Sequence, residues 1–371
     1  MDDMPVIDDA HPFTLDKFDD ALRKLYEWGV DDILLQDMER LAVQRKGRIV
    51  DVGTRPLELD TVQGLLNDMH RQTAAATLQE ALDHNFGYYV TKGRRTKYRF
   101  RVNATATMGK HSNPLGLDIT MRSISQIPPS LDELGVPKSL EEALFPLTGV
   151  VIVGGATGSG KSTLLGGIIR RHMEDPDGKR ILTYESPIEF DFRAVPNRRG
   201  RIAQSEVYSH LKDYAHATSN ALRRHPDVIV LGEARDAETI QGAVHNAETG
   251  HAVYSTVHVN SVSEMLGRMA GVFPANERAR AISGLIGSGR VFLYQTLLKT
   301  VDGGRCAARE WLVMTDEIRR HLYSTDDDHI TREMKHLVET HGRPLMRDIE
   351  EHYEAGRIDD RTYDRFKAEA A

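Results

Sequence analysis

Residues 150–163 read VVIVGGATGSGKST: four β-branched apolar residues run into a glycine-rich turn that closes on Lys161, Ser162 and Thr163. The run predicts a buried strand, and Gly155-Ala156-Thr157-Gly158-Ser159-Gly160-Lys161-Ser162 fits the G-x-x-x-x-G-K-[ST] phosphate-binding pattern. Gly155, Gly158 and Gly160 carry no Cβ, so they reach the φ values that turn backbone N–H groups inward and let phosphate approach closely. The segment from Leu164 to Met173 reads as a helix, which aims a helix N-terminus at the same point. Lys161 is then placed for the β- and γ-phosphates, and the Ser162 hydroxyl for Mg²⁺. Residues 155–163 are therefore the expected site for ATP or GTP.

Three further polar residues follow predicted strands. Arg180–Tyr184 ends in Glu185, the apolar run Val228–Leu231 with Gly232 ends in Glu233, and Ala252–Val257 ends in His258. Parallel α/β sheets place their ligands at the carboxyl ends of the strands, so the phosphate loop, Glu185, Glu233 and His258 are expected to share one edge. Hydrolysis of a triphosphate needs a metal clamp, an aligned water and neutralisation of charge developing on the γ-oxygens. Glu233 is assigned to Mg²⁺ together with Ser162, and Glu185 is assigned as the base that orients the water. The two glutamates can exchange roles on sequence grounds, and an acid at a strand end also serves as a helix N-cap. His258 is either a structural histidine or a reporter of the γ-phosphate.

The elements that must hold these residues alternate from Gly149 onward, strand then helix, which argues for a parallel sheet covered by helices. Tyr208–Arg224 reads as largely helical with Pro226 as its stop. A helix over Asp236–Thr249 is expected to bury Ile240, Ala243, Val244 and Ala247, with Asp236 as N-cap and Gly250 as its terminator. Ahead of this region, Thr14–Trp28 has helical spacing, 31–36 and 47–52 read as short strands, and Leu57–Gln79 returns to helical periodicity, so a smaller α+β domain is expected. The strongly basic tract is Tyr89–Asn103; read as a strand, it puts Arg95, Lys97, Arg99 and Arg101 on one face. A strand over Gly116–Ser123 carries Arg122. These cations are a solvated face, a nucleic-acid surface, or arginines that reach a nucleotide held by a neighbouring subunit. Ile127-Pro128-Pro129-Ser130 reads as an extended linker, because each residue before a proline is pushed out of the α region. The expected organisation is 1–126 as the smaller domain, 127–138 as linker, 139–325 as the nucleotide-binding domain, and 326–371 as two or three charged helices.

Composition narrows the class. The chain has 371 residues, 40% hydrophobic and 28% charged, with a net charge of −7, so nothing global draws it to nucleic acid or an anionic membrane. One cysteine, Cys306, leaves no internal disulfide and fits a reducing compartment. The acidic start MDDMPVIDDAH lacks the pattern of a signal peptide, and no run of about 18 apolar residues occurs. A cytoplasmic protein is expected.

Taken together the motifs resemble those of the secretion and type IV pilus ATPase superfamily. Gly155–Ser162 resembles its Walker A, Thr183–Phe190 (TYESPIEF) its aspartate box with Ser186 in place of the usual aspartate, Ala221–Thr239 (ALRRHPDVIVLGEARDAET) its Walker B region, and Thr249–Ser261 (TGHAVYSTVHVNS) its histidine box. Arg290–Leu298 (RVFLYQTLL) is similar to a glutamine-containing segment of the family, and Asp31-Asp32-Ile33 to a motif of its N-terminal domain. Within the superfamily, TYESPIEF and Tyr98–Ala106 are most similar to the type IVB secretion and conjugal-transfer branch. The resemblance implies a RecA-like P-loop motor domain, a PAS-like N-terminal domain, and a homohexamer with ATP bound between the two domains. It further implies Arg101 and Arg122 acting on the neighbour's nucleotide, and docking of the ring through membrane partners of a secretion complex at the cytoplasmic face of the inner membrane. Pilus members carry an Ala-Ile-Arg-Ala-Gly-Glu element that Asp316–His321 does not match, so secretion ranks above retraction. A RecA-like nucleic-acid translocase is the competing reading; acidic net charge and the lack of interleaved aromatics at the basic edge weigh against it. A slow nucleotide-gated scaffold is a third, opposed by the pair Glu185 and Glu233.

Overall fold

The computed structural model describes residues 4–45, 47–80, 83–92, 96–109, 115–124 and 127–370. It divides into two units, 1–126 with 189–191, and 127–188 with 192–371. Arg95 and the expected boundary residue Gln126 lie outside the described residues, as does the Lys97 side chain.

The first unit is α+β. Its elements are α1 (Leu15–Trp28), β1 (Asp32–Gln36), β2 (Arg40–Arg45), β3 (Arg48–Pro56), α2 (Leu59–Met69), α3 (Ala74–Thr77), β4 (His84–Lys92), β5 (Thr96–Met108) and β6 (Leu115–Ile124). The strands form an antiparallel sheet in the order β3-β2-β1-β6-β5-β4. Phe18, Leu22 and Leu25 of α1 and Val62, Leu65 and Leu66 of α2 are buried against Phe100, Val102, Ile119 and Met121 of the sheet. Helix α1 ends at Gly29, whose φ of 78° is the left-handed cap that glycine adopts without strain. Two expectations are corrected here. The helical stretch from Leu57 stops at Met69 and resumes only as short turns. The basic tract 89–103 is not one strand: β4 ends at Lys92 and β5 begins at Thr96, so it folds back as a hairpin.

The second unit contains α4 (Lys138–Ala143), β7 (Gly149–Gly154), α5 (Lys161–Met173), β8 (Arg180–Glu185), β9 (Arg201–Glu206), α6 (Tyr214–Leu222), β10 (Val228–Leu231), α7 (Ala237–Glu248), β11 (Ala252–Val257), α8 (Met265–Ala270), α9 (Arg278–Ser288), β12 (Gly289–Lys299) and β13 (Arg305–Val313). Four further helices follow: α10 (Asp316–Tyr323), α11 (Ile330–His341), α12 (Leu345–Glu354) and α13 (Asp360–Ala370). Its sheet runs β13-β12-β7-β11-β10-β8-β9, parallel throughout except for β13 at one border. Every residue of β7 is buried. Val150 and Ile152 pack with Ile240 and Ala243 of α7 and Leu285 and Ile286 of α9, and α5 also packs against β7. Burial on both faces is what a parallel strand requires, and it explains the unbroken β-branched run. Val244 of α7 is only half-buried, contrary to expectation. Helix α6 begins at Tyr214 rather than Tyr208, because Tyr208 has φ 72° and Val207 bridges Leu211. Asp236 caps α7 by accepting from the Thr239 N–H at 2.7 Å.

The prolines of 127–130 pack on this unit: Pro128 O accepts from Arg170 of α5 at 2.9 Å, and the turn that follows is closed by a reciprocal Ser130–Glu133 pair. At the other end, Ile349 and Ile358 pack against Leu298 and Ala308 of the β12–β13 hairpin.

One buried group sets an acid limit on this fold. The Tyr254 hydroxyl donates to Leu144 O at 2.8 Å, so it accepts from His172 Nε2 at 2.8 Å, and that nitrogen carries the imidazole proton. Burial pushes His172 down from 6.5 to about 4. The stability it supports is complete above the unfolded value and is lost as pH falls from there toward the folded one, because the unfolded chain then binds a proton that the folded chain refuses. Between about pH 7.5 and 5 the loss should be about 2 kcal/mol. Urea unfolding at both values checks this: His172→Gln, which keeps an N–H for Tyr254, should be less stable at neutral pH and show a pH slope smaller by that amount.

Candidate active site

The register of the parallel strands brings the four expected features to one edge. Val257 pairs with Gly154, Leu231 with Ser255, and Tyr184 with Leu231. The next residues along, Gly155, His258, Gly232 with Glu233, and Glu185, therefore leave their strands at one edge, within two residues of a common level. Backbone bonds tie these ends together: Gly155 N donates to Val257 O at 3.2 Å, Ala234 N to Thr256 O at 2.9 Å, and Gly232 N to Tyr184 O at 2.8 Å.

The loop is built for an anion. Gly155, Gly158 and Gly160 have φ of 151°, 78° and 84°, and Gly160 is the N-cap of α5. At Gly155 a Cβ would sit 2.4 Å from both Gln295 O and Ser159 Oγ. Ala156, Thr157, Gly158 and Ser162 are exposed, Thr163 is half-buried, and the buried Ser159 hydroxyl has no hydrogen-bond partner. The left-handed glycines, the exposed α5 N-terminus and the inward cation fit a polyphosphate. Lys161 is buried, with Nζ donating to Gly155 O at 2.6 Å and Ala156 O at 2.8 Å. Burial lowers its pKa, and the charge of Glu233 opposes that shift.

Glu233 and His258 meet directly, with Nε2 to Oε1 at 3.4 Å. The other Glu233 oxygen binds Arg235 at 2.6 Å, a contact that raises the Arg235 pKa. Glu185 is buried at the end of β8 and accepts from the Thr183 hydroxyl at 2.6 Å and the Gln204 amide at 3.4 Å. Ser162 and Glu233 offer the oxygen donors that Mg²⁺ takes.

Arg101 and Arg122 belong to the first unit, where they face each other across β5 and β6. Like charges directly opposite are unfavourable, and carboxylates offset them. Arg122 binds Asp32 through Nε at 2.8 Å and Nη2 at 3.0 Å, a bidentate pair that raises its pKa, and Arg101 lies 3.4 Å from Glu189.

Sequence reasoning missed Arg235, Gln204 and Gln295. Arg235 stood two residues beyond Glu233. Gln204 lies on β9, whose RIAQSE sequence offers only two adjacent apolar residues as a strand signal. Gln295 stood in a family segment to which no role had been given.

A phosphate loop leaving a central parallel strand, with carboxylates at the neighbouring strand ends, defines an ATPase of RecA type. The chain belongs to the Type II/IV secretion system protein family, which matches residues 83–288. It is 33% identical over 291 residues to the type IV pilus retraction ATPase PilT of Pseudomonas aeruginosa, covering 78% of this chain and 80% of that one. The structure of the Legionella pneumophila ATPase DotB superimposes with a TM-score of 0.84 at 35% identity, over 99% of this chain and 100% of that one. A structure of the pilus retraction motor PilT with bound ADP superimposes with a TM-score of 0.79 at 28% identity, covering 93% and 95%. The protein is thus an ATPase that uses adenine nucleotide. No helix among the described residues is long and apolar enough to cross a membrane.

Proposed function

We propose that this ATPase works as a homohexamer that drives substrate translocation or assembly of a type IVB secretion or conjugal-transfer system, docked through membrane partners at the cytoplasmic face of the inner membrane. The observation that carries this reading is the end-to-end match to DotB. In it, residues 155–163 hold the triphosphate. Ser162 and Glu233 hold Mg²⁺, which when bound neutralises charge on the β- and γ-oxygens. Glu185 orients the attacking water, its carboxylate held at the end of β8 by the Thr183 hydroxyl and the Gln204 amide, while Glu233 engages Arg235 and His258. His258 reads the γ-phosphate while braced on Glu233. Arg101 and Arg122 serve the neighbouring protomer's nucleotide, which requires each to leave or share its present carboxylate. The boundaries 1–126, 127–138, 139–325 and 326–371 are retained as functional segments.

The likeness to PilT supports a second reading, a pilus retraction motor. A chromosomal Glu185→Gln replacement separates the two. Loss of substrate export with twitching motility intact supports secretion; lost twitching with normal export sinks it. Stimulation of hydrolysis by single-stranded DNA, abolished by salt, would instead favour the translocase. Arg122→Ala and Arg101→Ala should lower hydrolysis in the oligomer by about 10³-fold while nucleotide still binds, as removal of an arginine finger does. Wild-type turnover from either variant removes that residue from the role.

A further inference from the structure

Gln295 lies directly under the phosphate loop. On β12, the residue before it pairs with Gly154, so Gln295 is level with Gly155. Its Nε2 donates to Ser159 O at 2.8 Å, and its Oε1 accepts from Arg309 Nε at 2.9 Å. The amide admits no flipped orientation, because a guanidinium only donates and a carbonyl only accepts. The loop rests on this residue at both ends: a Cβ on Gly155 would lie 2.4 Å from Gln295 O, and one on Gly160 2.8 Å from Gln295 Nε2.

Arg309, the direct cross-strand partner of Gln295 on β13, is as buried as Gln295, each 2% exposed. Its guanidinium spreads to two more acceptors, Nη1 to Gly135 O at 3.1 Å and Nη2 to Leu134 O at 2.7 Å, and its backbone N–H donates to Asp348 of α12 at 2.9 Å. The circuit closes on the helix that the loop leads into, since a Cβ on Gly167 of α5 would meet Leu134 Cδ1 at 3.0 Å. Asp348 is in turn held by Arg343 at 2.9 Å. Burying a guanidinium costs several kcal/mol, so apolar packing would serve stability better than this cation does. What the fork supplies that a methionine would not is three fixed directions at once.

We propose that Arg309, acting through the Gln295 amide, is a positioning residue for the phosphate loop: it fixes the Ser159 carbonyl, and with it the loop N–H groups, in the shape that accepts triphosphate, and makes that shape responsive to the 130–136 turn and to α12. The inference rests on residues 155–163 being the nucleotide site.

The test uses the full chain with a fluorescent ATP analogue for affinity, steady-state turnover for KM and kcat, and thermal melting for folding. Arg309→Met and Gln295→Met should each weaken ATP binding and raise KM by about ten-fold, and the double variant should be no worse than the poorer single one, since both break one relay. Arg309→Lys, which keeps charge without the fork, should recover only part of the loss. Asp348→Asn, remote from the loop, should raise KM by about three-fold. A purely structural role would lower melting temperature while leaving the affinity of the folded fraction unchanged, and that result overturns the proposal, as does multiplication of the two single effects. Should a methionine variant fail to fold, Gln295→Glu decides alone: it keeps the acceptor for Arg309 but turns the donor to Ser159 into a charged acceptor facing that carbonyl, so unchanged affinity refutes the relay. Lys161→Ala run in parallel tests the underlying site; if it binds ATP normally, the site assignment has failed independently of the relay.

Discussion

Lys161→Ala should reduce ATP hydrolysis by about 10²- to 10³-fold and weaken nucleotide binding, the range seen when one preorganised donor to a developing charge is removed. The lysine is buried among the loop's own carbonyls, with Nζ on Gly155 O and Ala156 O. A polyphosphate seated in the loop offers that ammonium a far stronger partner than two neutral carbonyls, so the cation belongs to the liganded state more than to the fold. Lys161→Met keeps most of the volume and should fail as badly as alanine. Lys161→Arg should fail as well, because a planar fork does not fit where a compact point charge is placed. Melting should change little, since a costly buried charge has been removed. Isothermal titration with Mg-ATP beside a phosphate-release assay checks both halves, and near-normal turnover in the alanine variant would exclude Lys161 from the nucleotide site.

The parts of this molecule legible in its sequence are those where one local signal fixes the outcome. Val150–Val153 could only be a strand buried on both faces, and the glycines after it only a turn with left-handed φ. The shared edge of Glu185, Glu233 and His258 followed from parallel topology alone. Strands β2 and β9 were illegible because the apolar runs in RLAVQR and RIAQSE are only three and two residues long between polar ones, and β9 borders its sheet with half-buried residues. The helical pattern after Leu57 hid a break at His70, and the pattern after Tyr208 hid a left-handed residue and a backbone bridge. Side-chain partnerships were least legible of all. Gln295 meets Arg309 only because the hairpin turn around Gly303 sets that register, and Arg122 meets Asp32 only because β1 and β6, distant in sequence, pair.

Glu185→Gln is expected to cut kcat by about 10³-fold while ATP affinity stays within a few-fold of wild type, the signature of losing a general base and nothing else. The substitution keeps shape and an acceptor oxygen, so the Thr183 hydroxyl retains its partner. Glu233→Gln should behave differently. Its carboxylate answers Arg235 and His258, and its charge is felt at Lys161, so neutralising it leaves the Arg235 guanidinium without its charged partner and removes the proposed metal ligand. Mg-ATP affinity should fall, and raising Mg²⁺ should recover part of the activity, because mass action offsets a weakened site. The two variants therefore separate along different axes, one in turnover at saturating Mg-ATP and the other in the Mg²⁺ concentration needed to reach it. The reverse pattern, with Glu233→Gln holding ATP uncleaved and Glu185→Gln losing Mg²⁺ dependence, would exchange the two roles; proportional loss of kcat and affinity in both would mean that neither carboxylate acts at the chemical step alone.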